Sequence, residues 1–230
     1  MAEIIPAILP KNYEDLKNKI SLVREIVPVA QIDICDGIFV KSKTWPFSES
    51  DLDQHFKNIL NEQEGLPFWE DIDFELDLMV SDAVSNFDIY MKLGPRRIVF
   101  HIEAVGDMED FKNFLEGIDA YTRDVVEIGV AINQNTEVEK IFSLINCVDF
   151  IQVMGIKHIG FQGEEFNQKC LEQIKKIKEK FPDLIISVDG GVNSQTAPKL
   201  IEVGVNRLVM GSAIFNSDDI LNIVESFKQI

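Results

Sequence analysis

"VAQIDICDG" (residues 29–37) is an apolar stretch that carries Gln31 and Asp33 at alternate positions. Successive side chains of a strand point to opposite faces, so these two polar groups share one face, opposite the apolar ones. An almost continuous apolar run of this kind is typical of a parallel strand that is covered on both faces. The pattern therefore predicts a buried strand that holds two polar side chains inside the protein.

Seven further apolar runs repeat along the chain, separated by segments with helical periodicity. The eight runs are IIPAIL (4–9), VAQIDI (29–34), FELDLMV (74–80), RIVFHI (97–102), VEIGVAI (126–132), DFIQVM (149–154), LIISVD (184–189) and RLVMG (207–211). Asn12 is suited to cap the first helix and Ser217 the last. Strand and helix repeated eight times predict a closed (β/α)8 TIM barrel, with an open doubly wound sheet as the alternative.

No low-complexity linker divides the chain, which predicts one barrel domain over residues 1–230. The connection between the second and third runs, at about 38–72, is unusually long and holds seven acidic residues and both tryptophans. Loops of this length are often functional, so a lid or a contact between subunits at the barrel mouth is one interpretation. A solvated surface that includes one helix is the other.

Composition limits the classes of partner. A formal net charge of -17 disfavours nucleic acid and anionic membranes, because both carry negative charge. Three scattered cysteines indicate neither a disulfide framework nor a zinc site. The N-terminal segment lacks a basic region and no apolar run reaches membrane-spanning length. These features together predict a soluble cytoplasmic protein.

Polar side chains gather toward the C-terminal ends of the predicted strands, where barrels of this fold carry their active sites. They are Gln31, Asp33, Glu75, Asp77, His101, Glu103, Asn133 and Asp189. Two carboxylates about 4 Å apart repel by about 4 kcal/mol at an effective dielectric constant of 20. A cation, a shared proton or a hydrogen-bond network must therefore offset the repulsion. Glu75 and His101 are interpreted as buried structural residues.

Two glycine-containing turns follow the seventh and eighth runs: DGGVN (189–193) and GSAIF (211–215). We call them the glycine loops. Glycine permits close approach of the backbone to a ligand, and barrels of this class bind phosphate at these two positions with backbone N–H groups. The predicted phosphate-binding residues here are Gly190, Gly191, Gly211 and Ser212.

Eight motifs, in order along nearly the whole chain, resemble the ribulose-phosphate 3-epimerase family. They are PAIL, IDICDG, LDLMV, FHIEA, IGVAIN, VMGIKHIGFQG, VDGGVN and GSAIF. The resemblance implies inversion of the carbon next to a ketone in a phosphorylated sugar, with an enediolate intermediate and a divalent metal. It further implies that Asp33 and Asp189 are the catalytic acid and base, and that Met154, Gly160 and Gly163 bind the substrate.

The chain departs from the family pattern at the metal ligands. Gln31 and Asp77 stand where the family has histidines, and Ala7 stands where it has serine. In one reading, oxygens of Gln31, Asp33, Asp77 and Asp189 hold a divalent cation, with Mg²⁺ or Mn²⁺ favoured over Zn²⁺. In the other, no metal binds and the chain is a catalytically altered or inactive sugar-phosphate-binding barrel.

The epimerase reading is favoured, because both proton-transfer aspartates are present. Related barrels that decarboxylate or condense their substrates place a lysine between two aspartates at a strand end. Here Ile34 and Cys35 lie there, which disfavours those reactions. Family members commonly form homo-oligomers, although segment 38–72 could block or replace the usual contact.

Overall fold

The computed structural model describes residues 2–49 and 51–230; Met1 and Ser50, which fall within the predicted domain and the predicted insertion, lie outside the described residues. Eight parallel strands close into a barrel in chain order, with the last strand paired to the first. The strands are β1 (Glu3–Ile8), β2 (Val29–Cys35), β3 (Asp73–Met79), β4 (Arg97–His101), β5 (Glu127–Ile132), β6 (Phe150–Met154), β7 (Ile185–Asp189) and β8 (Arg207–Met210). This closed barrel confirms the predicted (β/α)8 fold. The apolar runs form its strands because parallel strands are covered on both faces.

Helices connect the strands and cover the outside of the barrel. They are α1 (Tyr13–Val23), α2 (Gln54–Leu60), α3 (Phe87–Met91), α4 (Met108–Gly117), α5 (Ala120–Val125), α6 (Lys169–Lys180), α7 (Ala197–Glu202), α8 (Ser212–Phe215) and α9 (Ile220–Lys228). Two short 3₁₀ helices, Val138–Ile141 and Ile145–Cys147, lie between β5 and β6. Within the part of the chain described, no helix combines the length and apolarity that crossing a membrane requires.

Side-chain caps fix where the first and last helices begin. Asn12 Oδ1 accepts a hydrogen bond from the Asp15 N–H at 2.8 Å, as predicted for α1. The predicted Ser217 cap is wrong. Asp219 caps α9 by accepting from the Asn222 N–H at 2.9 Å, whereas the Ser217 hydroxyl accepts from the Asp219 N–H in the preceding turn.

Segment 38–72 packs against the barrel as well as facing solvent. Trp45 is fully buried, and its ring meets the Phe56 ring edge-on at 5.7 Å. Ser42 Oγ donates to the Gly160 carbonyl at 2.5 Å, which ties the start of the segment to the loop after β6 at the barrel mouth. Trp69, in contrast, is 61% exposed.

An ion-pair cluster fills the N-terminal end of the barrel. Arg97 Nη2 lies 3.0 Å from Glu3 Oε2, and Arg207 Nη2 lies 2.7 Å from Glu127 Oε2. Glu75 is fully buried above them, 3.7 Å from Arg97 Nη1. This end of the fold serves stability, so the chemistry is to be sought at the opposite end.

Candidate active site

Three aspartates from three strands meet inside the C-terminal half of the barrel. Asp33 of β2 is in register with Asp77 of β3, and Asp189 ends β7. Each offers one carboxylate oxygen such that these oxygens all lie within 4.8 Å of one another. Alternation along each strand turns these side chains inward, toward the barrel axis. We call Asp33, Asp77 and Asp189 the carboxylate cluster.

Gln31 links two members of the carboxylate cluster. Its Nε2 donates to Asp33 Oδ1 at 2.7 Å and to Asp189 Oδ2 at 3.2 Å. One neutral amide thus spans the two predicted catalytic residues, and the side chain is fully buried. This bridge fixes the position of both carboxylates through a neutral donor.

Asp77 is held by two other inward-facing side chains. His101 Nε2 lies 2.7 Å from Asp77 Oδ1, and Gln152 Nε2 donates to Asp77 Oδ2 at 3.1 Å. All three side chains are buried. Because a carboxylate only accepts hydrogen bonds, His101 carries its proton on Nε2 in this contact. His101 therefore belongs to the site, and its interpretation as a structural residue of the core is incomplete.

Burial and mutual repulsion change the protonation of these groups. Burial raises the pKa of Asp33 well above its ordinary value, and the charges of Asp189 and Asp77 raise it further. Burial, with Asp77 second, raises the pKa of Asp189 to about 7. Burial alone would lower the pKa of His101, but the neighbouring Asp77 carboxylate outweighs that effect and the pKa is raised. The site thus has carboxyl groups that can carry a proton near neutral pH.

A cavity of about 270 Å³ opens above the carboxylate cluster. Every residue predicted to be catalytic or to bind substrate lines it: Asp33, Met154, Gly160, Gly163, Asp189, Gly190, Gly191, Gly211 and Ser212. Gln31 and Asp77 do not line the cavity; they lie beneath it, against Asp33 and Asp189. The two glycine loops and the loop after β6 therefore enclose one space beside the carboxylates.

Two glycines of the first glycine loop are required by its backbone. Gly190 and Gly191 have φ of +95° and +69°, in the left-handed region that side chains disfavour. A Cβ on Gly190 would lie 2.6 Å from Ile156, and one on Gly191 would lie 2.7 Å from the Cα of Phe166. A side chain at either position would therefore strain the loop that faces the cavity.

Sequence reasoning did not identify Gln152 and Gln162 as site residues. Gln152 was detectable, because it is a polar residue within an apolar strand and shares the inward face with Met154. Gln162 gave no such signal, since it lies in an irregular loop whose path depends on tertiary contacts. Its side chain lines the cavity and donates to the Ala7 carbonyl at 3.1 Å.

The donor set fits a divalent cation bound through oxygen. Ligand oxygens on opposite sides of Mg²⁺ or Mn²⁺ lie about 4.2 Å apart, so oxygens within 4.8 Å of one another can surround such an ion. Gln31 Oε1 is buried and has no hydrogen-bond partner among the described residues. A turn of this amide, which here presents Nε2 to Asp33 and Asp189, would offer that oxygen as a fourth ligand. A cation would also relieve the repulsion among the carboxylates.

Taken together, an inward carboxylate cluster beneath a cavity with two glycine loops defines a (β/α)8-barrel enzyme site. The family model described as "Ribulose-phosphate 3 epimerase family" matches residues 3–215. The chain belongs to the ribulose-phosphate 3-epimerase family.

Curated relatives agree with this assignment along almost the whole chain. The chain is similar to a ribulose-phosphate 3-epimerase of Bacillus subtilis, with 29% identity over 226 residues, 95% of this chain and 94% of the relative. It is also similar to the cytoplasmic isoform of ribulose-phosphate 3-epimerase of Oryza sativa, with 28% identity over 234 residues, 99% of this chain and 93% of the relative. The predicted enzyme class, a sugar-phosphate epimerase, is confirmed at this level, and the reading as an inactive binding barrel is not favoured.

Solved structures support the fold alone. The chain is similar to KGPDC from Streptococcus mutans in complex with ribose 5-phosphate, with a TM-score of 0.71, 15% identity and coverage of 99% of this chain and 96% of that one. A 3-keto-L-gulonate-6-phosphate decarboxylase from Vibrio cholerae gives a TM-score of 0.70 at 12% identity, with coverage of 99% and 96%.

Proposed function

We propose that this protein interconverts the C3 epimers of ribulose phosphate, with Asp33 and Asp189 as the acid and base. The observation that carries the proposal is the pairing of these two carboxyl groups through Gln31 on the wall of one cavity. One group removes the C3 proton to give an enediolate, and the other returns a proton on the opposite face. The names of the relatives supply the substrate.

The charge state of the pair suits this task. Epimerisation requires one carboxyl group to be ionised and the other protonated at the start of each turnover. Without a bound cation, two buried carboxyl groups with raised pKa values that share the Gln31 donor favour a single shared proton near neutral pH. The proton resides on Asp33 for one direction of reaction and on Asp189 for the other.

The proposed cation ligands are oxygens of Gln31, Asp33, Asp77 and Asp189. Oxygen donors of this kind favour Mg²⁺ or Mn²⁺, whereas Zn²⁺ prefers nitrogen and sulfur ligands. When bound, the cation supplies positive charge that stabilises negative charge developing on the substrate oxygens. His101 and Gln152 hold Asp77 in place for this role.

The phosphate group of the substrate is proposed to occupy the part of the cavity between the glycine loops. Ser212 and Ala213 are the first residues of α8, so their N–H groups have no partner within the helix. Gly190 and Gly191 let the opposite loop approach closely. With the phosphate group held there, we expect the sugar carbons to lie over Asp33 and Asp189.

The reaction itself is the direct test of this function. Purified protein incubated with D-ribulose 5-phosphate is expected to form the C3 epimer, followed by ¹³C NMR or a coupled assay. The same sample after chelation tests the requirement for a cation. Absence of conversion of any ketopentose or ketohexose phosphate, with or without Mg²⁺ and Mn²⁺, would contradict the proposal.

Metal selectivity is tested separately by thermal unfolding of chelator-treated protein. Because an ion bound only by the native state raises stability, Mg²⁺ or Mn²⁺ at 100 times its Kd should add about 2.7 kcal/mol. Asp77→Asn should remove most of this increase. No shift with any divalent ion would favour the metal-free reading of the site.

Location and assembly are also proposals. The Oryza sativa relative is named a cytoplasmic isoform, and we infer the same location for this chain. Homo-oligomer formation stays a prediction from the family resemblance. Light scattering coupled to size-exclusion chromatography would measure the mass in solution against the 26.1 kDa chain.

A further inference from the structure

Gln162 lies at the mouth of the cavity, in the loop after β6. Gly160 and Gly163 flank it, both with φ of +81°, and the Ser42 hydroxyl holds the Gly160 carbonyl. The Gln162 Nε2 reaches β1, where it donates to the Ala7 carbonyl at 3.1 Å. The side chain thus extends from the loop after β6 to the first strand of the barrel.

The same amide lies directly against the second glycine loop. A Cβ built on Gly211 would meet Gln162 Nε2 at 2.4 Å and its Cδ at 2.9 Å. Gly211 therefore leaves the space that the Gln162 amide occupies. Gly211 immediately precedes Ser212, the first residue of α8, and Gln162 and Ser212 both line the cavity.

The lining lacks cationic groups where an anion is to bind. Among the described residues that line the cavity there is no lysine, arginine or histidine, while Asp33, Glu164 and Asp189 are acidic. Neutral side-chain donors there are Gln162, Asn193 and Ser212. Asn193 Nδ2 already donates to the Gly191 carbonyl at 3.1 Å. Gln162 Nε2 has two N–H groups, and its bond to Ala7 uses one of them.

We propose that Gln162 is a substrate-binding residue whose side-chain amide donates a hydrogen bond to the phosphate group. The inference rests on the proposed function, and it assigns part of phosphate recognition to a side chain from the loop after β6. Because the amide is neutral, it donates to the phosphate dianion without repelling it. Binding of the dianion therefore depends on the absence of a negative charge at position 162. A carboxylate of the same shape there would repel the ligand.

The test compares Gln162→Glu with Gln63→Glu, which adds the same charge at an exposed position in segment 38–72. Binding of inorganic phosphate and of ribulose 5-phosphate is measured by calorimetry, together with KM and kcat. Gln162→Glu should weaken both ligands by at least about tenfold, with the loss mainly in KM, whereas Gln63→Glu should match the wild type. Gln162→Leu should weaken them by about threefold to tenfold through loss of one hydrogen bond.

The outcomes separate this inference from the proposed function. If Gln162→Glu and Gln63→Glu bind phosphate within about twofold of each other while the wild type epimerises its substrate, the assignment of Gln162 is wrong and the function stands. If the wild type binds neither ligand, both proposals are contradicted. Equal thermal unfolding of Gln162→Glu and wild type shows that any loss of binding does not come from unfolding.

Discussion

At the scale of single residues, the site depends on how a buried negative charge is accommodated. Asp77 is fully buried, and its oxygens are bound by His101 and Gln152. An isolated carboxylate in such a place would be strongly unfavourable, whereas a charge with hydrogen-bonded partners is tolerated. The pair of Asp77 and His101 is therefore a unit whose members depend on each other.

Removal of His101 alone should be more damaging than removal of the pair. In chelator-treated protein, His101→Leu is expected to lower the free energy of unfolding by about 3 to 5 kcal/mol, because it leaves a buried carboxylate with one partner fewer. The double variant with Asp77→Leu should recover part of that loss. Urea unfolding of the four proteins measures the coupling; additive effects of the two substitutions would show that the residues do not act as a unit.

The sequence identified Asp33 and Asp189 because strand alternation and family motifs both pointed to them. It did not assign His101 to the site, because a buried histidine in an apolar strand looks the same whether or not a carboxylate faces it. Which residues meet across the barrel depends on the stagger between strands, and that is a property of the closed fold.

At the scale of elements, the C-terminal end of β2 is fixed by the segment that follows it. The Thr44 hydroxyl donates to the Asp33 carbonyl at 2.7 Å and accepts from the Cys35 N–H at 2.8 Å. Thr44 is buried next to Trp45. The start of segment 38–72 thus holds the backbone of a proposed catalytic residue, in addition to any role at the barrel mouth.

Thr44→Val removes the hydroxyl and nearly keeps the shape of the side chain, so it tests the contribution of the two hydrogen bonds. It leaves two buried backbone groups without partners, so the free energy of unfolding should fall by about 1 to 3 kcal/mol. Thr44→Ser keeps the hydroxyl and serves as the matched control. Chemical denaturation measures both, and equal stability of Thr44→Val and the wild type would show that water replaces the two bonds.

Elements with strong local patterns were predictable. Each of the eight apolar runs became a strand with bounds within about two residues, because burial on both faces selects such runs. The start of α9 was not predictable from the sequence, since Ser217 and Asp219 are both good caps and tertiary packing selects between them. The packing of segment 38–72 was also not predictable from the sequence, because contacts between residues far apart in the chain hold it in place.

At the scale of the whole molecule, the barrel interior is divided into two charged ends. Arginines balance glutamates at the N-terminal end, whereas the carboxylate cluster at the C-terminal end has the His101 imidazole as its neighbour. Glu75 lies between them, and burial raises its pKa to about 8 although Arg97 and Arg207 oppose the shift. Folding therefore favours the protonated form of this glutamate.

The pH dependence of the free energy of unfolding should show the raised pKa of Glu75. Because the folded state raises the pKa of Glu75 from 4.5 to about 8, folding takes up a proton in that window and stability falls as pH rises through it. Glu75→Gln cannot titrate, so its stability relative to the wild type should increase by on the order of 3 kcal/mol between about pH 5 and about pH 8.5. Urea unfolding at both pH values, with chelator present, measures the difference. A constant difference between the two proteins would contradict a raised pKa.

The central claim is that Asp33 and Asp189 act on opposite faces of C3, and proton exchange in D₂O tests it most directly. Each epimer of the sugar phosphate is incubated with wild type, Asp33→Asn or Asp189→Asn, and loss of the C3 proton signal is followed by ¹H NMR. Each variant should lose epimerisation by about 10² to 10⁴-fold. Each should still exchange the C3 proton of one epimer, and the epimer should differ between the two variants. Interconversion at the wild-type rate in either variant would contradict the claim.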